Sequence, residues 1–102
     1  MKILIIDDDA GLRKSLTLIL GDAGYEVLQA EDGESGLAAA MDKQPDLVLC
    51  DVRMPKLGGL EFLDAYRAAG GSALVLVMTA YGGVDLALEA MKRGAYDYIP
   101  KP

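Results

Sequence analysis

Aspartate residues follow two short apolar runs of the sequence, at the points where each run stops. Asp7 and Asp8 come directly after KILII, and Asp51 comes directly after LVLC. Such runs are typical of strands that are buried on both faces of a parallel sheet. Ligands of open α/β sheets bind at the carboxyl ends of these strands, where the strand order reverses. If the two strands are neighbours there, the three carboxylates converge, with Thr79 and Lys101 at the ends of two later runs beside them.

Three clustered carboxylates need a compensating cation. At about 4 Å and an effective dielectric of about 20, each pair repels by roughly 4 kcal/mol. Mg²⁺ takes one or two carboxylates together with waters and phosphate oxygens. Lys101 and Thr79 add a fixed positive charge and a hydroxyl donor. This combination suits phosphoryl transfer, in which positioning and charge neutralisation supply most of the catalysis, and a carboxylate can itself become an acyl phosphate.

Each of these residues also has an ordinary structural explanation. An Asp-Asp pair after a strand is usually a helix cap with a solvated neighbour, and Asp9, one position further on, is predicted to cap the first helix. Thr79 alone would be a strand-end hydroxyl, and Lys101 alone a surface charge. The functional interpretation therefore depends on four separate strand ends that direct suitable groups to one place.

The rest of the chain alternates between strand and helix patterns. Apolar runs predict five strands, at residues 2–7, 25–30, 46–51, 73–78 and 95–99. Helical spacing predicts four helices between them, at residues 12–23, 34–43, 59–69 and 84–93. The predicted inward face of the first helix is Leu12, Leu16, Ile19, Leu20 and Ala23, and that of the third is Leu60, Leu63 and Tyr66. This alternation predicts a doubly wound, mostly parallel α/β sheet.

Composition narrows the chemistry further. The net charge of −6 disfavours direct binding of a nucleic acid backbone by this segment. No apolar run reaches the ~18–20 residues that a membrane span needs, and no leader pattern is present, so we expect a cytoplasmic protein. Histidine is absent, which excludes histidine-dependent triads and zinc sites. The single Cys50, next to apolar residues, is predicted to be a core thiol.

Four segments resemble the receiver domain of two-component response regulators. They are ILIIDDDAGLR at the first strand, LVLCDVRMPKLGGLEFL at the third, LVLVMTAYG at the fourth and GAYDYIPKP at the fifth. The last two are most similar to regulators of the nitrogen-regulatory, AAA+ transcription-activator type. The resemblance implies one receiver domain over residues 1–102, with a flavodoxin-like parallel sheet of strand order 2-1-3-4-5.

The same resemblance assigns roles to the acidic residues. Asp51 would accept a phosphoryl group from a sensor histidine kinase and so switch an output domain, expected to regulate transcription. Mg²⁺ would be bound directly by Asp8 and mainly through water by Asp7, and Asp51 and the backbone carbonyl of Arg53 would be further ligands. Such a receiver is a signalling module that catalyses only its own phosphorylation and dephosphorylation.

Further residues would contact the phosphoryl group or respond to it. Thr79 would donate a hydrogen bond to it, and Lys101 would pair with it. The backbone N–H groups of Ala80 and Arg53 would surround its oxygens. Tyr98 matches the switch aromatic of the family, which turns inward when Thr79 is drawn towards the phosphate.

The segments beside Thr79 and Lys101 carry two more expectations. We interpret Tyr81 and the glycines at 82 and 83 as a hinge that lets Thr79 move. The Lys101–Pro102 bond is typically cis in the family, and its state here is left open.

The chain stops after the fifth strand, so the final helix of the family pattern is missing. We expect more chain in nature, including the output domain. Without that helix, residues 1–102 are expected to expose an apolar groove that favours self-association as a homodimer.

Three other functions remain open. The spacing Asp7-x-Asp9 partly matches haloacid-dehalogenase-like phosphatases, although Gly11 stands where that family has Thr or Val. A flavodoxin-like cofactor binder needs a Gly/Ser/Thr-rich phosphate loop after the first strand, where three acids stand instead. A degenerate receiver would serve only as an interaction module, although every chemistry-bearing position is filled.

Overall fold

The computed structural model describes residues 1–80 and 84–101, in which strands and helices alternate. The strands are β1 (Lys2–Ile6), β2 (Glu26–Ala30), β3 (Leu47–Asp51), β4 (Leu74–Thr79) and β5 (Asp97–Pro100). The helices are α1 (Ala10–Asp22), α2 (Gly33–Lys43), α3 (Gly59–Ala68) and α4 (Val84–Lys92). Every predicted element is present, and its ends differ from the predicted ones by two residues or fewer.

All five strands are parallel and form one sheet in the order β2-β1-β3-β4-β5. The strand order reverses at β1, so the carboxyl ends of β1 and β3 lie side by side at the switch point. Ile6 is opposite Cys50 in the register of this pair, so Asp7 and Asp51 follow at the same level. The predicted doubly wound, flavodoxin-like α/β fold is confirmed.

The sheet separates two apolar layers. The larger layer joins one sheet face to α2, α3 and α4, and includes Ile6, Val48, Val77, Phe62 and Ala90. The smaller layer, on the other face, contains Ile3, Ile5, Leu49 and Met78, with Leu16 and Leu20 of α1 packed against it. Burial on both faces explains why the central strands are uninterrupted apolar runs.

The predicted inward face of α1 is partly wrong. Leu16 and Leu20 pack against the sheet, but Ile19 is 64% exposed and Ala23 is exposed as well. The half-buried residues of the helix also include Arg13 and Thr17. α1 is therefore rotated so that its half-buried stripe includes Arg13 and Thr17, and Ile19 lies outside this stripe.

Apolar side chains are also exposed on the same sheet face at β4 and β5. Leu74 is 49% exposed and Ile99 is 40% exposed. α1 packs on β1 and β2 rather than on these strands. The exposed apolar surface that the sequence predicts is present here, and self-association through it stays a prediction.

Aspartate side chains cap the first two helices. Oδ1 of Asp9 accepts a hydrogen bond from the backbone N–H of Leu12 at 3.1 Å, so the predicted cap is confirmed, and α1 begins directly after it. Oδ1 of Asp32 accepts from the backbone N–H of Ser35 at 2.8 Å, and the hydrogen bonds from Ser35 lower the pKa of Asp32. No helix in the described part of the chain is long and apolar enough to cross a membrane.

Arg67 joins three segments on the α3 side of the sheet. Its Nη1 donates to the carbonyl oxygens of Gly71 at 3.0 Å and Ala73 at 2.9 Å, and its Nη2 donates to that of Gly94 at 2.9 Å. The guanidinium carbon lies 5.5 Å from the centre of the Tyr66 ring. These contacts connect the end of α3, the start of β4 and the turn after α4.

The Arg67→Met variant should therefore be less stable than the parent protein. We expect the free energy of unfolding to fall by about 2 kcal/mol, because three carbonyl groups lose charged donors. Equilibrium unfolding in urea measures this difference. Lys92→Met, which removes an exposed cation from α4, is the matched control. Equal stability of the two variants would show that water replaces the guanidinium at these carbonyls.

Candidate functional site

Asp7 and Asp51 lie side by side at the carboxyl ends of β1 and β3. Asp7 is fully buried, and its backbone N–H donates to the carbonyl oxygen of Ala30 at 3.1 Å. Its Oδ1 accepts from the backbone N–H of Asp9 at 2.9 Å. Asp51 is 6% exposed, whereas Asp8 faces solvent. One carboxylate oxygen from each of Asp7, Asp8 and Asp51 lies within 4.8 Å of the other two.

Lys101 brings a positive charge into this cluster. Its Nζ lies 2.8 Å from Oδ2 of Asp7 and 3.1 Å from Oδ2 of Asp51. Its backbone N–H donates to the carbonyl oxygen of Thr79 at 2.9 Å. This bond to β4 holds the main chain of Lys101 in place, and so positions the base of its side chain. Burial opposes the charge on Lys101, but the carboxylates of Asp7 and Asp51 outweigh it and raise the pKa of the ammonium group. Lys101 therefore stays protonated at neutral pH.

Neighbouring groups shift the pKa of the Asp51 carboxyl group in opposite directions. Burial raises the pKa of its carboxyl group, and the charge of Asp7 adds to the rise. The hydrogen bond from Lys101 and a hydrogen bond from the backbone N–H of Arg53 oppose it. The net effect is a raised pKa, and perturbed carboxyl groups of this kind are typical of reactive sites.

A cavity of about 160 Å³ opens beside Asp51. Its lining is formed by Asp51, Arg53, Thr79, Ala80 and Lys101. A water molecule takes about 30 Å³, so a phosphoryl group, which has one phosphorus and three oxygen atoms, fits. The structure thus brings together Asp51, the predicted acceptor, and the four residues that the sequence predicts to contact its phosphoryl group. Their roles stay predictions.

Two larger cavities lie elsewhere. One of about 330 Å³ lies at the opposite end of the sheet and includes Gln44 and Asp46. Another of about 310 Å³ includes Arg13 and Glu31. Each has a single carboxylate in its lining, whereas the smaller cavity adjoins three clustered aspartates. The clustered charges, rather than cavity size, identify the candidate site.

Tyr98 lies outside the cavity beside Asp51. It is opposite Val77 in the pairing of β5 with β4, and it is 37% exposed. The inward movement of Tyr98 stays a prediction. The expected hinge at residues 81–83 and the Lys101–Pro102 bond lie outside the described residues.

Cys50 has a structural position next to Asp51. It is fully buried, and its thiol donates to the carbonyl oxygen of Asp51 at 3.4 Å. Burial raises the pKa of the Cys50 thiol, so it stays protonated at neutral pH. The predicted core thiol is confirmed.

Two contacts at the site were missed by sequence reasoning. The guanidinium of Arg13 donates to the backbone carbonyl of Asp7. Gly59 packs so closely against β3 that a Cβ there would lie 2.4 Å from the carbonyl oxygen of Asp51. An arginine in the second turn after an acidic loop is a signal that could have pointed to the first contact. The second has no signal beyond the Gly58-Gly59 pair before α3.

The oxygen donors of the cluster fit a hard divalent cation. Oδ2 of Asp7 is buried, and the ammonium group of Lys101 lies 2.8 Å from it as an ion-pair partner. Asp8 and Asp51 offer further carboxylate oxygens at the same place, and Asp8 faces solvent. Mg²⁺ in proteins takes one or two carboxylates and keeps several waters. The residues present therefore fit a magnesium ion.

The parallel fold and the aspartates at its switch point together define a receiver domain. The model of the response regulator receiver domain matches residues 3–102, and the chain belongs to that family. This confirms the resemblance that the four sequence segments carry.

Among curated relatives, the transcriptional regulatory protein ZraR of Klebsiella oxytoca is 44% identical over 100 residues, which cover 98% of this chain and 23% of the relative. The transcriptional regulatory protein FixJ of Bradyrhizobium diazoefficiens is 43% identical over 100 residues, which cover 98% of this chain and 49% of the relative. The chain thus spans less than half the length of these relatives. The match to ZraR is consistent with the finer resemblance to the nitrogen-regulatory type.

A solved structure supports the same assignment. It is the complex of CheX with CheY, BeF₃ and Mg²⁺ from Borrelia burgdorferi. The similarity has a TM-score of 0.95 at 30% identity and covers 100% of this chain and 78% of that chain.

Proposed function

We propose that this protein is a phosphoryl-accepting module of a two-component system, in which Asp51 receives a phosphoryl group from a sensor histidine kinase. The observation that supports this most directly is the cavity beside Asp51, next to a cluster of three aspartates and one lysine. A carboxylate nucleophile, a fixed cation and a set of oxygen ligands are the groups that phosphoryl transfer needs.

When bound, Mg²⁺ would neutralise charge on the oxygens of the transferring group. Asp8 and Asp51 would hold the ion directly, Asp7 would hold it mainly through water, and the backbone carbonyl of Arg53 would be the remaining protein ligand. Support comes from the carboxylate oxygens of Asp7, Asp8 and Asp51, which lie within 4.8 Å of one another. It also comes from the similar CheY, whose complex contains Mg²⁺.

The proposed step conserves charge and atoms. One oxygen of the ionised Asp51 carboxylate attacks the phosphorus of a phosphohistidine, and the O–P bond forms as the N–P bond breaks. The leaving imidazole nitrogen takes a proton from solvent, and Asp51 becomes an aspartyl phosphate. Lys101 then pairs with the phosphoryl oxygens, while the Thr79 hydroxyl and the backbone N–H groups of Ala80 and Arg53 donate to them.

The output of this step is proposed to be transcriptional. Movement of Thr79 towards the phosphoryl group would let Tyr98 turn inward and so change the surface that an output domain in the same natural chain contacts. The printed names of ZraR and FixJ as transcriptional regulatory proteins support this.

The module would act in the cytoplasm, without contacting nucleic acid itself and without catalysis beyond its own phosphorylation and dephosphorylation. A second copy of the chain, bound through the exposed Leu74 and Ile99 to form a homodimer, is a further expected partner.

Acetyl phosphate provides the test, because it donates a phosphoryl group without a kinase. After incubation with Mg²⁺, intact-mass measurement should show one added phosphoryl group on the parent and on Asp22→Asn, an exposed control on α1. Asp51→Asn should show none. Removal of Mg²⁺ with a chelator should abolish the adduct on the parent.

The other outcomes identify the competing functions. A folded, Mg²⁺-binding parent that gains no phosphoryl group would contradict the proposal and favour a degenerate receiver. An adduct that persists in Asp51→Asn and disappears in Asp7→Asn would make Asp7 the nucleophile, as expected for a haloacid-dehalogenase-like phosphatase.

A further inference from the structure

Arg13 reaches from α1 back to the end of β1. Its guanidinium donates a hydrogen bond to the backbone carbonyl of Asp7. The backbone N–H of Asp7 donates to the carbonyl of Ala30 at 3.1 Å, and Oδ1 of Asp7 accepts from the backbone N–H of Asp9 at 2.9 Å. The peptide groups before and after Asp7 are therefore both held by hydrogen bonds. Arg13 holds the second of them, which joins Asp7 to Asp8.

Asp8 is the member of the acidic cluster with the fewest restraints. It faces solvent, and within the described residues its carboxylate makes no hydrogen bond or ion pair. The carbonyl that Arg13 holds belongs to the planar peptide that joins Asp7 to Asp8. Fixing this carbonyl fixes the plane of that peptide, and with it the direction in which the chain leaves β1 at Asp8.

We propose that Arg13 is a positioning residue of the Mg²⁺ site, whose bond to the Asp7 carbonyl sets the orientation of the Asp8 carboxylate. This inference rests on the proposed function, since it concerns the same ion. Arg13 would act on the ion through the main chain of Asp7, whose carbonyl it holds. Groups that orient metal ligands typically change metal affinity by about 10–100-fold when they are removed.

The charge of Arg13 alone would have the opposite effect. A guanidinium close to the acidic loop repels a divalent cation, so its removal should strengthen Mg²⁺ binding if charge were its only influence. Loss of orientation should weaken binding. The sign of the change in affinity therefore separates a positioning role from a purely electrostatic one.

The experiment is a Mg²⁺ titration without any phosphoryl donor, followed by the backbone amide NMR signals of residues 7–9. The Kd of Arg13→Met is expected to be about tenfold weaker than that of the parent. Arg13→Lys, which keeps a charged donor, should recover part of the loss. Lys14→Met removes the neighbouring charge from an exposed side chain and should bind Mg²⁺ as tightly as the parent or slightly more tightly.

An unchanged or tighter Kd for Arg13→Met would overturn the positioning role. If Arg13→Met does not fold, Arg13→Lys is compared with Lys14→Met in the same way, with a weaker Kd expected and an equal or tighter one contradicting the inference. The proposed function fails separately, since a parent that binds no Mg²⁺ or gains no phosphoryl group contradicts it. A parent that passes both tests beside an Arg13→Met that binds equally well contradicts the role of Arg13 alone.

Discussion

Lys101→Met is expected to lower the free energy of unfolding of the metal-free protein by about 3 kcal/mol. Lys101 is the cation that Asp7 and Asp51 share, and Asp7 is fully buried. Removing one partner of a buried ion pair leaves an uncompensated charge, which costs more than the contact itself contributes. Equilibrium unfolding in urea at neutral pH, in buffer free of divalent cations, measures the difference.

Three comparisons test this explanation. Lys14→Met removes the same charge from an exposed site, and its stability should stay within about 0.5 kcal/mol of the parent. Adding Asp7→Asn to Lys101→Met should restore part of the lost stability, because one of the two facing carboxylates is then neutral. Mg²⁺ should stabilise Lys101→Met by binding only its native state. If Lys101→Met were as stable as Lys14→Met, the carboxylates would not need Lys101 in the metal-free protein.

The location of the site could be predicted from sequence because parallel strands impose it. Asp7 and Asp51 each end a run of apolar residues, and such runs occur where a strand is buried on both faces. Once β1 and β3 pair in parallel, their ends must meet at one edge, which is where the structure has them. The same rule places Thr79 and Lys101 at this edge, because they stand at the carboxyl ends of β4 and β5. Strand periodicity and topology were sufficient for these four residues.

The contacts that support the site could not be predicted in this way. The bond of Arg13 to the Asp7 carbonyl depends on how α1 is rotated against the sheet, and the apolar spacing of α1 favoured a different rotation, with Ile19 inward. Helical periodicity gives a stripe of residues, but it does not give the angle at which the helix packs. The position of Gly59 depends on how closely α3 approaches β3, which is a property of tertiary packing and not of the local sequence.

Gly59→Ala tests how far this close approach matters to the site. A Cβ at Gly59 would lie 2.4 Å from the carbonyl oxygen of Asp51 and 2.9 Å from the Cα of Val52, and both are main-chain atoms. The backbone must therefore move, and we expect a loss of about 3 kcal/mol in the free energy of unfolding. This outweighs the gain of up to about 1 kcal/mol that alanine gives over glycine in a helix.

One of the displaced atoms is the carbonyl oxygen of Asp51, the residue that carries the proposed chemistry. A shift of about 1 Å in a reacting group can slow a reaction by about 100-fold, so Gly59→Ala should also react slowly with acetyl phosphate while it is still folded. Unfolding in urea and the rate of mass increase measure the two effects on one sample.

Gly21→Ala is the matched control, since it makes the same chemical change in a helix. A Cβ at Gly21 would meet nothing within 4 Å, so this variant should be more stable than the parent by up to about 1 kcal/mol and react at the same rate. The two substitutions are thus expected to change stability in opposite directions. If Gly59→Ala matched the parent in both stability and rate, α3 could start further from β3 at no cost, and the close packing behind Asp51 would not hold the carboxylate in place.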